Sequence, residues 1–277
     1  MTKRIAVGQM TATNNIEENI AVGERLAIEA NDSGASLLAL PECFAFIGEK
    51  DTDAREMAEP LDGPIVNRYK DIARSHSMWL SLGGFQERGP DGTQCYNTHL
   101  IINDEGSLVA SYRKLHLFDV DIPGGPKLLE SNGTLAGQDM VTADSPFGKL
   151  GLSICYDLRF PELYLSLAAM GAKVLLIPAA FTLTTGKEHW ECLQRARAIE
   201  TQTYVVAAAQ RGRHNAKRES FGHAMIIDPW GTVVAQCADQ TGIAVAPIDL
   251  DYLKAMRERI PVWNHRRSDV YGSVGQK

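Results

Sequence analysis

The sequence lacks the features that mark nucleic-acid-binding, membrane or secreted proteins. Its 28 Lys and Arg residues stand against 34 Asp and Glu, so the net charge is −6 and no basic excess favours nucleic acid. No apolar run is long enough to cross a membrane, and residues 1–4 lead into a strand-like stretch rather than a signal peptide. We therefore expect no nucleic-acid or membrane partner and a cytoplasmic location, with a longer mitochondrial form left open.

Closely spaced cysteines and histidines are also missing. The chain has 5 cysteines, and the nearest pair, Cys155 and Cys192, is separated by 37 positions. This spacing excludes a local CxxC zinc or redox motif, and the odd number suits a reducing compartment. No pair of histidines has the HxxxH or HExxH spacing of a metal site. We therefore expect free thiols and no metal.

What the sequence does contain is an alternation of helical and strand-like segments, with 44% apolar and 22% charged residues. Helical spacing and caps predict helices over 16–32, 64–76, 161–170, 186–201 and 250–259. Close to a dozen strands are interleaved with them, more than a simple doubly wound sheet of this length usually carries. The pattern favours two sheets packed face to face with helices outside. Residues 114–140 have no clear period and are interpreted as a long functional loop.

One stretch, 149–164, places a cysteine where active sites collect in α/β proteins. An apolar strand is predicted to end at Cys155, and a helix starts shortly afterwards at Pro161. The other four cysteines are interpreted as small buried hydrophobic residues. Ser153 invites comparison with a Gly-x-Ser-x-Gly elbow, but the last glycine is replaced by Cys155 and no sharp turn is expected at the serine.

A cysteine nucleophile needs a group that takes its proton, because a free thiol is only a few per cent ionised at neutral pH. None of the 7 histidines has a papain-like context. Glu42 follows an apolar strand and a proline, and Lys114 follows another strand. Taken singly, each is most simply a solvated residue. Taken with Cys155, they supply a base, a cation for the oxyanion and a nucleophile for acyl transfer.

Three motifs carrying these residues resemble the signatures of the nitrilase (carbon–nitrogen hydrolase) superfamily. They are Leu-Pro-Glu42, Tyr-Arg-Lys114-Leu-His and Ile-Cys155-Tyr-Asp-Leu-Arg-Phe-Pro-Glu162. Further stretches resemble its Nit branch: 79–85, 118–123, 195–200, 204–210, 223–225, 228–231 and 265–267. The resemblance implies an α/β fold, a four-layer α-β-β-α sandwich formed by one hydrolase domain over residues 1–277. It also implies a homodimer or homotetramer, with no metal and no cofactor.

The resemblance also assigns roles at the site. Glu42, Lys114 and Cys155 match the family's catalytic triad, and Glu130 matches a second active-site glutamate that supports the triad and helps to place water. The backbone N–H of Tyr156 is expected to bind the oxyanion.

The implied substrate is a small-molecule amide that carries a carboxylate or 2-oxo acid group. The expected reaction is hydrolysis of the terminal amide through a thioester, with release of ammonia, and deaminated glutathione is the first candidate. Arg159 either anchors the substrate carboxylate or forms a structural ion pair with Glu162 or Asp157. Phe181 and Thr185, expected in a loop after Pro178, resemble substrate-pocket positions.

Further alternatives remain open from the sequence, including a nitrile substrate, although the Nit branch is associated with amides. The chain could be an ω-amidase acting on α-ketoglutaramate, which uses the same triad. It could be a non-catalytic signalling or binding protein on the same scaffold, although all four chemical residues are present. The basic run 211–218 could attract anions or simply be solvated.

Overall fold

The computed structural model describes residues 3–50, 52–121 and 127–273. Its helices are α1 Ile16–Asp32, α2 Asp53–Glu56, α3 Pro64–His76, α4 Pro161–Ala169, α5 Leu183–Thr201, α6 Leu250–Arg259 and α7 Ser268–Tyr271. Two 3₁₀ turns are formed by Glu130–Asn132 and Cys155–Arg159. No helix in the described part of the chain is long and apolar enough to cross a membrane.

Two main sheets and one short hairpin contain the described strands. The first sheet comprises β1 Lys3–Met10, β2 Leu37–Leu40, β3 Trp79–Arg88, β4 Cys95–Ile102, β5 Leu108–Arg113, β8 Thr134–Leu135, β13 Ala209–Arg213, β14 Glu219–Phe221 and β17 Gly242–Ile248. The second comprises β9 Thr142–Ala143, β10 Leu150–Leu152, β11 Val174–Leu176, β12 Tyr204–Ala207, β15 Met225–Ile227 and β16 Val233–Gln236. The hairpin pairs β6 Asp119–Asp121 with β7 Lys127–Leu129.

The two sheets pack face to face because their strands are apolar on both faces. Along β1, the side chains of Ile5 and Val7 belong to a hydrophobic core shared with residues of the second sheet. The side chain of Ala6 belongs to the other core, which lies beneath α1 and α3. Helices α4 and α5 contribute side chains to the core that is shared with the second sheet, and they cover the outer face of that sheet. The predicted α-β-β-α sandwich is therefore confirmed.

Element boundaries follow the local signals where those signals are strong. Helices α1, α3 and α6 have the predicted limits, with the Asn15 side chain capping α1 and Pro64 in the first turn of α3. The interpretation of 114–140 as a loop without regular structure was wrong, because β6, β7, β8 and a 3₁₀ turn lie within it. Part of the motif at 118–123 lies outside the described residues.

Candidate active site

Glu42 lies just beyond β2 and is 4% exposed. Its Oε1 accepts hydrogen bonds from Nδ2 of Asn97 at 2.9 Å and Nζ of Lys114 at 3.0 Å, and its Oε2 accepts from the backbone N–H of Ala180 at 3.1 Å. Burial alone would raise the pKa of Glu42. The Lys114 charge and the Cys155 thiol outweigh burial, so the pKa lies below its ordinary value and the group is a carboxylate.

Lys114 follows β5 and is 2% exposed. Its Nζ also donates to both carboxylate oxygens of Glu130, at 2.9 and 3.2 Å. Burial lowers the pKa of Lys114, but Glu130, Glu42 and Cys155 together raise it well above its ordinary value. The site therefore contains a buried ammonium held between two carboxylates.

Cys155 lies at a sharp corner of the backbone. The prediction that its strand ends at the cysteine was wrong, because β10 ends at Leu152 and Cys155 opens a 3₁₀ turn. Its φ is +47°, a left-handed conformation that is strained for a side chain with a Cβ. The backbone N–H of Cys155 donates to the carbonyl of Pro178 at 2.9 Å, which fixes this corner to the end of β11.

The Cys155 sulphur is a neutral thiol in this site. Burial and the Glu42 carboxylate raise its pKa well above the ordinary value, and the opposing effect of Lys114 is smaller. Lys114 therefore favours the thiolate but does not decide the charge state of Cys155. A side-chain hydrogen bond with the Cys155 thiol helps to lower the pKa of Glu42, and catalytic hydrogen bonds of this kind often tighten when substrate binds.

Asn97, in β4, connects the two glutamates and was overlooked in the sequence. Its Nδ2 donates to Oε1 of Glu42 at 2.9 Å and to Oε1 of Glu130 at 3.1 Å. Glu130 further accepts from the backbone N–H of Phe118 at 2.7 Å. The pairing of β4 with β5 brings Asn97 beside Lys114, whose N–H donates to the Asn97 carbonyl at 2.9 Å.

Asp157 joins the 3₁₀ turn at Cys155 to β5, and its structural role was overlooked in the sequence. Its Oδ2 accepts from the hydroxyl of Tyr112 at 2.7 Å and the N–H of Ile154 at 2.8 Å. Its Oδ1 accepts from the backbone N–H of His116 at 3.1 Å and lies 2.7 Å from the same residue's Nδ1. A wholly buried carboxylate with this many donors fixes the Cys155 turn relative to Lys114.

Gly84 leaves room for the Glu42 side chain. Its φ is +69°, and a Cβ placed there would lie 2.6 Å from Cγ of Glu42. The Gly84 carbonyl also accepts from the N–H of Cys43 at 3.0 Å. The glycine thus permits both the backbone turn and the close approach of the glutamate.

The backbone N–H of Tyr156 makes no hydrogen bond with any residue that the structure describes. It directly follows Cys155, which places a free donor beside the sulphur. The Tyr156 ring meets Phe118 and Phe160 edge to face, with ring centroids 5.0 and 5.4 Å apart. This geometry fits the expected oxyanion role.

Arg159 forms neither of the ion pairs considered from the sequence. Its Nη1 lies 3.3 Å from Nδ1 of His189, and its guanidinium lies 5.5 Å from the ring centroid of Phe181. Asp157 is occupied as described above, and no carboxylate of a described residue forms a salt bridge with Arg159. The interpretation of Arg159 as a partner in a structural ion pair is therefore wrong, and its guanidinium remains available to a substrate carboxylate.

Thr185 is not in a loop as predicted, because α5 begins three residues earlier than expected and Thr185 lies in its first turn. Its hydroxyl lies 2.9 Å from that of Thr182, the N-cap residue. Within the described residues, no hydrogen bond joins Thr185 to Glu42, Lys114 or Cys155. Phe181 is 7% exposed and packs against Trp190. Within residues 3–50, 52–121 and 127–273, no cluster of His, Cys, Asp or Glu is arranged to hold a metal.

Comparison with protein families matches residues 4–258 to one family, described as carbon-nitrogen hydrolase. The chain belongs to the carbon–nitrogen hydrolase family. The resemblance noted in the sequence is thereby confirmed.

Curated relatives of this carbon–nitrogen hydrolase extend over nearly its whole length. It is 54% identical to the deaminated glutathione amidase of Dictyostelium discoideum, covering 97% of this chain and 95% of that protein. It is 50% identical to the deaminated glutathione amidase of Homo sapiens, covering 98% of this chain and 84% of that protein.

A solved structure shows the same fold. The crystal structure of the Caenorhabditis elegans NitFhit protein matches with a TM-score of 0.93 and 49% identity, over 98% of this chain and 67% of that chain.

Proposed function

We propose that this carbon–nitrogen hydrolase is an amidase that cleaves deaminated glutathione through a thioester on Cys155. The observation that carries the mechanism is the buried contact of Lys114 with Glu42, which keeps Glu42 ionised beside a neutral thiol. The substrate assignment is supported by relatives of about half-identical sequence that are named deaminated glutathione amidase.

In the first step Glu42 acts as general base. As the Cys155 sulphur attacks the amide carbonyl, its proton passes to the Glu42 carboxylate, so no free thiolate has to form in a buried site. The carbonyl oxygen gains the negative charge. Nζ of Lys114 and the N–H of Tyr156 stabilise this charge as hydrogen-bond donors, and losing one such donor costs about 10²–10³ in rate.

The tetrahedral intermediate then expels the amine, which takes the proton from Glu42. The chemistry of the substrate decides which amine leaves. In α-ketoglutaramate the amide is primary and the product is ammonia. In deaminated glutathione the amide nitrogen belongs to cysteinylglycine, so that dipeptide leaves, and the sequence-based expectation of ammonia release holds only for primary amides.

The second half of the reaction hydrolyses the thioester. Glu42, again a carboxylate, takes a proton from water, which attacks the thioester carbonyl at the same oxyanion donors. The proton then returns to the Cys155 sulphur as the acid leaves. Glu130, which accepts from Lys114, Asn97 and the N–H of Phe118, keeps these groups in place and helps to position the water.

A single assay separates the proposed substrate from the alternatives, because deaminated glutathione and α-ketoglutaramate both yield 2-oxoglutarate. We expect a higher kcat/KM for deaminated glutathione, and no product from either amide with Cys155→Ala. A higher kcat/KM for α-ketoglutaramate would favour the ω-amidase assignment. Absence of product from both amides with the wild-type protein would favour the non-catalytic alternative.

A further inference from the structure

Arg218 lies in the basic run 211–218 and immediately precedes β14. It keeps solvent-exposed surface although many protein atoms surround its guanidinium. No carboxylate of a described residue forms a salt bridge with it, and its backbone rather than its side chain makes the hydrogen bonds. A cation in this setting is available to a ligand.

The loop that carries Arg218 is fastened to the segment after β1 and to the segment that follows Glu42. His214 is 6% exposed, and burial lowers its pKa to about 4, so it is neutral. Its Nδ1–H donates to the carbonyl of Ala12 at 2.8 Å, which leaves Nε2 to accept from the Ser220 hydroxyl at 2.8 Å. Nδ2 of Asn215 donates to the carbonyl of Gly48 at 2.9 Å.

The strand after Arg218 is tied to the other wall of the site. Ser220 is bridged to Thr182, and the N–H of Phe221 donates to the carbonyl of Phe181 at 2.9 Å. Ala180, just before that segment, donates its N–H to Glu42. The residues on both sides of Arg218 are therefore tied to the segment after Glu42 and to residues 181–182, which border the site.

The charges that act on Arg218 are those of the active site. Burial lowers its pKa, but Cys43, Glu42, Cys155 and Glu130 outweigh that effect and raise it. The influence is mutual, because Arg218 lowers the pKa of Glu42 and opposes the rise in the pKa of Cys43. Lys114 is paired with its two glutamates and is assigned to the oxyanion, whereas no described residue accepts a hydrogen bond from the Arg218 guanidinium.

We propose that Arg218 pairs with a carboxylate of the substrate and makes the site selective for acidic amides. A guanidinium can bind a carboxylate through two parallel hydrogen bonds, which fixes the position of the amide relative to Cys155. Arg159 lies beside Phe181 and Tyr156, in the turn after the nucleophile. A second, separately anchored arginine suits a substrate with two carboxylates, as deaminated glutathione has. This inference rests on the proposed function for its substrate class.

The test measures ligand binding, so it does not depend on turnover. 2-Oxoglutarate is titrated by calorimetry into Cys155→Ala protein, alone and combined with Arg218→Gln or Lys217→Gln. Lys217 is the matched control, since it is an exposed neighbouring cation in the same loop. We expect Arg218→Gln to weaken binding at least about tenfold, as loss of a charge-assisted pair does, and Lys217→Gln to leave it unchanged.

Equal binding by the Arg218→Gln and control proteins would overturn the proposal, as would absence of 2-oxoglutarate binding before Arg218 is changed. A catalytic readout complements the binding measurement. In otherwise wild-type protein, Arg218→Gln should lower kcat/KM for acidic amides mainly through KM and leave a neutral amide of the same length unaffected. A similar loss on both amides would show a structural role instead. If no amide is hydrolysed, the proposed function fails while the binding result still decides the role of Arg218.

Discussion

Nζ of Lys114 lies 3.0 Å from Oε1 of Glu42, and both side chains are almost completely buried. The same Nζ lies 2.9 Å from Oε2 of Glu130. One ammonium thus compensates two carboxylates in a site where isolated charges would be strongly unfavourable. The arrangement keeps Glu42 ionised and the Cys155 thiol protonated.

Removing the Lys114 charge should damage both stability and activity. Lys114→Met leaves two carboxylates without their cation, which we expect to cost about 3–5 kcal/mol in the free energy of unfolding. We also expect at least about a 10²-fold loss of kcat through the missing oxyanion donor. Urea denaturation and steady-state kinetics measure the two effects. Lys254→Met is the control, because that lysine is exposed and its salt bridge, to Glu258 at 4.0 Å, is also exposed. Near-normal kcat in Lys114→Met would contradict its role.

The pH profile of kcat/KM should show no loss of activity caused by the titration of a histidine. Activity needs the Glu42 carboxylate, and because its pKa lies below the ordinary 4.5, the acidic limb should lie below that value. The pKa values of Lys114 and Cys155 lie well above 10.5 and 9.0, so the plateau should extend beyond pH 9. A limb near pH 6.5, about where an unperturbed histidine titrates, would argue against Glu42 as the base.

Gly84→Ala should impair catalysis more than it impairs folding. Its φ of +69° is matched by the φ of +71° at Gly92, where a Cβ would meet nothing within 4 Å. Gly84→Ala and the control Gly92→Ala should each lower the free energy of unfolding by about 1–2 kcal/mol, because each places a Cβ on a left-handed backbone. Only Gly84→Ala should displace Glu42, and a misplacement of about 1 Å can reduce the rate about 10²-fold. Equal kcat/KM in the two variants would contradict the role assigned to this close approach.

Asp157→Asn should loosen the connection between Cys155 and Lys114. Each carboxylate oxygen of Asp157 accepts from two donors, and the amide nitrogen that replaces one oxygen in asparagine can accept from neither of its two. We expect a loss of about 1.5–3 kcal/mol, typical for hydrogen bonds to a charged group, together with a lower kcat. Asp239→Asn, which alters an exposed pair with Arg211, should change the free energy of unfolding by less than about 1 kcal/mol. Chemical denaturation of the two variants compares these losses. Equal stability would contradict the proposed role of Asp157.

Local signals predicted those parts of the fold that local interactions determine. The Asn15 cap and Pro64 defined two helices correctly. The start of α5 was wrong although Thr182, its N-cap, offered a readable signal. The strands β6 and β8 span only three and two residues, and no sequence period can reveal strands of that length.

Only the site residues that lie in recognisable motifs could be predicted from the sequence. Glu42, Lys114 and Cys155 were identified from their places near strand ends and from the family resemblance, and the structure brings them together. Asn97 and Asp157 were not identified, because their importance comes from contacts with residues distant in the sequence. In the sequence Arg218 is one charge in a basic run. Its proximity to the site depends on hydrogen bonds from His214 and Asn215 to residues distant in the sequence.

The most direct test of the mechanism is mass spectrometry of protein quenched during turnover of deaminated glutathione. The account predicts a population that is heavier by the 2-oxoglutaryl group, located on the peptide containing Cys155 and absent from Cys155→Ala. Turnover with the acyl group on another residue, or continued product formation by Cys155→Ala, would contradict the thioester mechanism.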